Sequence, residues 1–572
     1  MKFLWSYFKK YRLESILAPL FKCLEACFDL AVPVIVAKII DTGIATANKP
    51  YIISRFLLLL AMAVLGLVSS CVAQYFAAKA AIGTAAGLRQ DLLCKIQTLS
   101  CGEVDAVGTS TLITRMTSDV NQVQNGLNMF LRLFMRSPFI VFGAMIMAFT
   151  INARLALIFV IAIAVLFFIV FGVMWLSNPL YKKVQQQLDG VTEATREDLN
   201  GVRVIRAFSR EGEQKKRFAA QNERLLHAQL FVGRVAAIMN PLTYLIVNAV
   251  MIAVLWLGAG KIQNGVLLSG SIIALMNYIS QILVELVKLA NLITQLGRSV
   301  ASMNRVGQVL SLQSGMQFGG GSQPQAGAPA VQFNNVSFCY NGSAEPALQN
   351  ISFTAQKGQT IGVIGGTGSG KTTLANLILR FYDATGGTVL VNGVPVQSLS
   401  KQQLEQAVSA VLQRPRLFSG TVKSNLQLAA PQATEQQMLW ALRLARAEDF
   451  VLEKGGLDAA VEQDGANFSG GQRQRLTIAR TLLSGAKIII LDDSLSALDF
   501  ATDAAVRRAL KTLPKDVTVF YISQRVGSIA GADRILVLDD GALVGSGTHS
   551  ALLQSCGVYR EIFESQTKGA EA

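Results

Sequence analysis

The segment Gly365-Gly366-Thr367-Gly368-Ser369-Gly370-Lys371-Thr372 fits the phosphate-loop pattern G-x-x-x-x-G-K-[ST] at every fixed position. It follows the strand-like run Ile361–Ile364 and opens onto a helical pattern from Thr373 to Arg380, which is the context the pattern requires. Glycines there let backbone N–H groups close around the β- and γ-phosphates at a helix N-terminus, where the helix dipole favours anions. Lys371 adds a positive charge to those phosphates, and the Thr372 hydroxyl is placed for Mg²⁺. A second apolar run, Lys487–Leu491, ends in Asp492-Asp493, and a third, Val517–Ile522, ends in Ser523-Gln524. Asp492, closing a strand, is the expected second anchor of a Mg²⁺ shell. ATP and Mg²⁺ are therefore the expected ligands.

These residues need an α/β frame, and the chain after residue 330 has one: short β-rich runs alternate with helical patterns, as for a largely parallel sheet. Before it, Met316–Ala330 carries Gly319-Gly320-Gly321, Pro324 and Pro329 and reads as a linker. The first 300 residues differ. Uncharged runs at Phe56–Ala78, Leu155–Leu176, Val235–Gly260 and Ile262–Val284 reach the about 20 residues needed to cross a bilayer. Ser137–Ala153 is shorter and spans if Arg132 and Arg136 reach to the interface. Glu14–Ile40 also reads as a membrane helix, although Lys22, Glu25, Asp29 and Lys38 interrupt it.

The expected organisation is an interfacial amphipathic helix at 1–12, carrying Phe3, Leu4, Trp5, Tyr7 and Phe8 beside Lys2, Lys9 and Lys10. A membrane domain follows over 13–310, with spans near 14–40, 55–78, 132–153, 155–177, 235–260 and 262–285. After it come a linker at 311–330, a nucleotide domain at 331–565 and a tail at 566–572. Lys79, Arg89, Lys95 and Arg115 lie between the second and third spans, and eleven Lys and Arg lie from Lys182 to Arg234. The opposite connections hold only Lys49, Arg154 and Lys261, so both termini and the nucleotide half belong in the cytoplasm of a plasma (inner) membrane. The net charge of +15 then reflects topology, and no basic stripe with interleaved aromatics points to nucleic acid. Seven scattered cysteines form no paired framework and read as reduced.

The segment Phe468-Ser469-Gly470-Gly471-Gln472 resembles the signature L-S-G-G-Q of ATP-binding cassette proteins, with Phe468 in place of Leu. Tyr340 matches the family's adenine-stacking aromatic, Gln413 the glutamine that senses Mg²⁺ and the membrane domain, and Ser496-Ala497-Leu498-Asp499 the loop after the second Mg²⁺ motif. With six spans ahead of these motifs, the chain resembles one half of an ATP-binding cassette exporter: an all-α six-helix membrane domain with long cytoplasmic helical extensions, fused to an α/β P-loop ATPase domain. The resemblance implies a head-to-tail pair. Ser469, Gly470, Gly471, Gln472 and Asp499 would close over ATP held by the other chain, their serine and glycine N–H groups facing its γ-phosphate.

Two positions depart from the family. Asp493 stands where the water-polarising Glu is usual, and Gln524 where the family has a His that contacts the γ-phosphate. The shorter carboxylate sits back by roughly 1.5 Å, enough to weaken in-line attack, and an amide carries neither proton nor charge. The resemblance thus implies a heterodimeric, multidrug-type exporter for amphipathic drugs, lipids or peptides. Its own site binds ATP and hydrolyses it slowly, and a non-identical partner supplies Glu and His. A homodimer with two slow sites and a nucleotide-gated regulatory subunit are the alternatives. Elsewhere, polar loop segments at Asp105–Ser118 and Asn200–Phe208 are expected to touch the cytoplasmic domain. Glu25 and Asp29 either attract cationic substrates or pair with an Arg of a neighbouring helix. Asn248, Asn277, Tyr278 and Gln281 either line a pathway or pack helices, Asn240-Pro241 should kink the fifth span, and His549 reads as structural.

Overall fold

The computed structural model describes residue 7 and residues 9–325, 327–496 and 498–568. Most of the expected interfacial segment 1–12, residues 569–572 of the tail, and Ala497 lie outside the described residues. The chain forms two compact units, Met1–Ile96 with Ser110–Ser311 and Gln97–Thr109 with Leu312–Ala572.

The first unit is helical. Five helices are long and apolar enough to cross a membrane among the described residues: Lys49–Thr98, Thr109–Ile151, Ala153–Asn200, Glu211–Gln263 and Ser269–Ser311. The helix Arg12–Lys38 is outside that set, because every 18-residue stretch of it contains Lys22, Glu25 and Asp29. Large apolar side chains such as Phe168 (75 % exposed) and Trp256 (81 %) face outward with no protein cover within the unit, a surface suited to lipid and not to water. Inside, Phe159, Leu275, Tyr278, Ile279 and Ile282 are fully buried between helices.

Several expectations need correcting. The sixth helix starts at Ser269, not near 262, because residues 262–263 finish the preceding helix and the chain reverses through Asn264-Gly265, where Gly265 takes φ +70°. The break in the fifth span falls at Ile238, between Glu211–Ala237 and Met239–Gln263, not at Asn240-Pro241. Pro241 has no N–H to return to the Ala237 carbonyl, so the helix opens one turn earlier. Arg136 does not reach for an interface. It pairs with Glu285 (2.7 Å), Asp29 (2.9 Å) and Glu25 (3.8 Å), while Lys22 holds Glu25 (2.5 Å) and Lys288 holds Glu285 (2.9 Å). Glu25 and Asp29 are therefore ion-paired within the bundle. Tyr278 is a packing residue, its hydroxyl donating to the Leu30 carbonyl at 2.6 Å.

The second unit holds strands β1 (Val331–Phe338), β2 (Leu348–Ala355), β3 (Thr360–Gly365), β4 (Gly386–Val391), β5 (Val394–Pro395), β6 (Val408–Val411), β7 (Ile488–Asp492), β8 (Thr518–Ile522), β9 (Arg534–Asp539) and β10 (Ala542–Gly547). Six form a sheet in the order β10-β9-β3-β8-β7-β6, parallel except at the β10 edge. Strands β3, β7 and β8 are buried along nearly their whole length, which explains their unbroken apolar runs. The order β2-β1-β4-β5 makes a separate antiparallel sheet that the parallel-sheet expectation did not include. Its strands alternate buried and open positions, a weaker pattern than a continuous apolar run. The last helix, Gly557–Lys568, runs past the expected domain end at 565 and takes in the start of the expected tail. Its Gln566 side chain explains why, donating to the Gln524 carbonyl (2.7 Å) and accepting from Val526 N–H (2.9 Å).

Candidate functional site

The C-terminal ends of β3, β7 and β8 lie side by side, because these strands pair in parallel register, Gly362 and Asp492 flanking Tyr521 and Ile522. In such sheets ligands settle at the carboxyl ends. Their exit loops carry the phosphate loop, Asp492-Asp493 and Ser523-Gln524, the first more than 100 residues before the other two. One cleft of about 340 Å³ is lined by Tyr340, Thr367, Gly368, Ser369, Gly370, Lys371, Thr372, Thr373, Gln413, Asp492, Asp493 and Gln524, together with Ala347, Ile522 and Ser523. Gly365 and Gly366 sit behind it, their carbonyls accepting from Lys371 Nζ at 3.0 and 2.5 Å.

The loop is pre-shaped. Gly368 and Gly370 take φ +88° and +93°, a region closed to most side chains. A Cβ on Gly370 would lie 2.5 Å from Leu348 Cδ2 and 2.6 Å from the Ala347 carbonyl oxygen. Gly370→Ala should therefore lose at least about tenfold in ATP affinity, given the cost of the left-handed backbone alone. Titration of the purified chain with a fluorescent ATP analogue measures this, and unchanged affinity would refute it. Helix Lys371–Ile378 starts directly after this glycine and buries Leu374, Leu377 and Ile378, which holds its N-terminus against the cleft.

Burial pushes the Lys371 ammonium below its ordinary pKa, against the pull of Asp492 and Asp493. An anionic ligand at that nitrogen would restore the balance. Burial likewise raises the Asp492 carboxyl, helped by Asp493 and opposed by the Thr372 hydrogen bond and by Lys371. The Thr372 hydroxyl and Asp492 Oδ1 are 3.3 Å apart. Two hard oxygen donors, one a buried carboxylate short of positive charge, fit a Mg²⁺ ion. Gln413 stands on the far wall just after β6, without a side-chain hydrogen bond of its own.

Asp493 adopts φ +47°, a left-handed conformation that Asp enters more readily than most residues. Its N–H donates to the Ile522 carbonyl (2.9 Å), tying the β7 exit to the β8 exit. Gln524 is exposed, and only its backbone carbonyl is engaged, by Gln566. The sequence drew no attention to Gln566, since nothing in its neighbourhood marks it. Ser523 was findable as the neighbour of Gln524; its hydroxyl accepts from Arg525 N–H at 3.0 Å.

The signature residues lie outside this cleft. Ser469 caps helix Gly470–Leu483, its hydroxyl accepting from Gln472 N–H (3.3 Å) while the Gln472 side chain accepts from Ser469 N–H (2.9 Å). The Ser469 N–H is therefore engaged by the Gln472 side chain in this chain by itself. Phe468, where the signature usually has Leu, is 3 % exposed, edge-on to Phe450 at 6.2 Å and under Lys454. Asp499 caps helix Phe500–Leu510, and the Thr502 hydrogen bond draws its carboxyl below the usual range. His549 bonds Tyr559 through Nδ1 (2.6 Å) inside the domain.

Residues 15–286 match the ABC transporter transmembrane region and residues 348–496 the ABC transporter domain. An uncharacterized ABC transporter ATP-binding protein of Mycobacterium tuberculosis is 35 % identical over 571 residues, covering 99 % of this chain and 98 % of that one. The chain belongs to the ABC transporter family. An ATP-dependent lipid A-core flippase of Haemophilus influenzae is 29 % identical across 99 % of the chain and 97 % of its own length. The structure of a bacterial Atm1-family ABC exporter with ATP bound superposes with a TM-score of 0.79, 22 % identity and 98 % coverage of both chains. The fold of this ABC transporter is thus the exporter fold, a multi-pass membrane region fused to one ATPase domain.

Proposed function

We propose that this ABC transporter moves an amphipathic substrate (drug, lipid or peptide) outward across the plasma membrane as one half of a heterodimer. In this reading Tyr340 stacks on adenine and the phosphate loop, from Gly365 to Thr373, holds the phosphates. Thr372, Gln413 and Asp492 would hold Mg²⁺, which neutralises phosphate charge when bound. Ser469, Gly470, Gly471, Gln472 and Asp499 complete the partner's site, and the chain's own site turns over slowly.

The observation that carries this is the company Asp493 and Gln524 keep. Both line the same cleft as an intact Lys371, Thr372 and Asp492, so the departures fall on cleavage positions while the binding positions are kept. The exporter fold of the Atm1-family structure supports the direction of transport, and the flippase relative supports lipid among the substrate classes.

The test is the chain purified alone in lipid nanodiscs. It should bind ATP and turn over far more slowly than the enzyme median of about 10 s⁻¹, and gain turnover when co-expressed with a half-transporter that has Glu and His at the matching positions. Brisk hydrolysis by the self-paired chain would refute the heterodimer.

A further inference from the structure

Short helix Cys101–Val107 lies on the chain between two of the membrane-crossing helices, yet it packs within the ATPase unit. Ser100 starts it with a capping box closed by Glu103, and Glu103 also accepts from Gly315 N–H at 2.7 Å. Further along the helix, Asp105 accepts a short hydrogen bond from the Tyr382 hydroxyl. The Tyr382 ring meets the Tyr340 ring edge to face at 5.2 Å and 83°. Phe338 closes the aromatic group, 4.7 Å from Tyr340 and 5.6 Å from Tyr382. The Tyr340 hydroxyl in turn bonds the Thr373 hydroxyl (3.1 Å) at the start of the phosphate-loop helix. Tyr382 itself does not line the nucleotide cleft.

We propose that Tyr382 is a positioning residue that makes the base-binding wall and helix Cys101–Val107 one mechanical unit, so that a base stacked on Tyr340 fixes that helix. The inference rests on the adenine role given to Tyr340 above. Its logic is local stability. Edge-to-face rings and a phenol–carboxylate hydrogen bond hold only in one mutual orientation, so ordering Tyr340 narrows what Tyr382, and through it Asp105, can do. Phosphates alone reach Tyr340 only through its Thr373 hydroxyl contact and leave its ring face open, so they order the ring less than a base does. The base, not the phosphate chain, is therefore what the first cytoplasmic loop reads.

Cys101 reports on this helix. It is a free thiol of intermediate exposure at the first helical position, so its alkylation rate follows how tightly that helix is held. The experiment measures Cys101 alkylation by peptide mass spectrometry on the full chain in nanodiscs, with no nucleotide, with ATP, or with inorganic tripolyphosphate. ATP should slow Cys101 alkylation by about fivefold, the effect of one net hydrogen bond, and tripolyphosphate should not. Tyr382→Phe keeps the ring and removes the hydroxyl; it should bind ATP as the natural chain does and lose the ATP protection. Asp105→Ala should do the same, and the double variant should be no worse than either single one. A merely structural Tyr382 would raise alkylation equally with and without ATP. The proposal is overturned by equal protection from tripolyphosphate, by protection that survives in Tyr382→Phe, or by additive effects of the two substitutions. Failure of the natural chain to bind ATP would instead overturn the site reading beneath it, and ATP titration distinguishes the two.

Discussion

Restoring the cleavage residues with Asp493→Glu and Gln524→His should raise single-turnover hydrolysis at this chain's site by about 100-fold, the scale on which a misplacement near 1 Å acts. The longer side chain brings its carboxylate forward to the water, and imidazole replaces an amide that can neither take a proton nor carry charge. One effect opposes this. Position 493 sits at φ +47°, where a side chain without a local hydrogen bond costs roughly 1 kcal/mol. A 100-fold gain corresponds to about 2.7 kcal/mol of barrier, so the gain should win, with some loss of stability. The measurement is radiolabelled single-turnover hydrolysis in the proposed heterodimer, with the Glu at the matching position of the other half replaced. If both restorations leave the rate unchanged, Asp493 and Gln524 are not what limits the site.

The second large effect lies in the membrane unit. Arg136→Met removes the cation shared by Glu285, Asp29 and Glu25. Lys288 and Ser137 still hold Glu285, and Lys22 still holds Glu25. Asp29 is left without its ion-pair partner, its side chain 44 % exposed on a helix of the membrane unit. The cost therefore falls on Asp29, which loses its ion pair, and on Glu285, which is only 4 % exposed and keeps Lys288 and Ser137 but loses its closest cation. Breaking such a pair from one side costs roughly 3–5 kcal/mol, whereas replacing the whole pair by apolar groups is often neutral. Arg136→Met should thus shorten the thermal half-life of the solubilised chain sharply, and Arg136→Met with Glu285→Leu should recover most of it. A double variant no more durable than the single one would show that the pairing does not hold these helices together.

Much of the site was legible because its parts carry their chemistry locally. The phosphate loop needs its glycines at fixed spacing, and Asp492 and Gln524 each close an apolar run that only a buried parallel strand requires. Apolar length alone located most of the membrane helices, since about 20 residues must cross the bilayer whatever they pack against. Tyr382 and Gln566 were not legible, and Asp105 was legible only as the start of a loop segment expected to touch the cytoplasmic domain. Each acts through a partner far off in the chain: 277 residues separate Tyr382 from Asp105, and 42 separate Gln566 from Gln524.

Local pattern and composition alone thus pointed to a nucleotide and to several membrane crossings, and the family resemblance pointed to two departures from the residues usual for cleavage. Tertiary structure decided which charges pair. Glu25 and Asp29 were equally open to a cation or an arginine until Arg136, more than 100 residues downstream of both, converged on them. It also decided where the helices break and that a short loop helix belongs with the ATPase unit. The physical reason is the same throughout: hydropathy and motif spacing are carried by neighbouring residues, whereas burying a charge or orienting a ring depends on which distant segment supplies its partner.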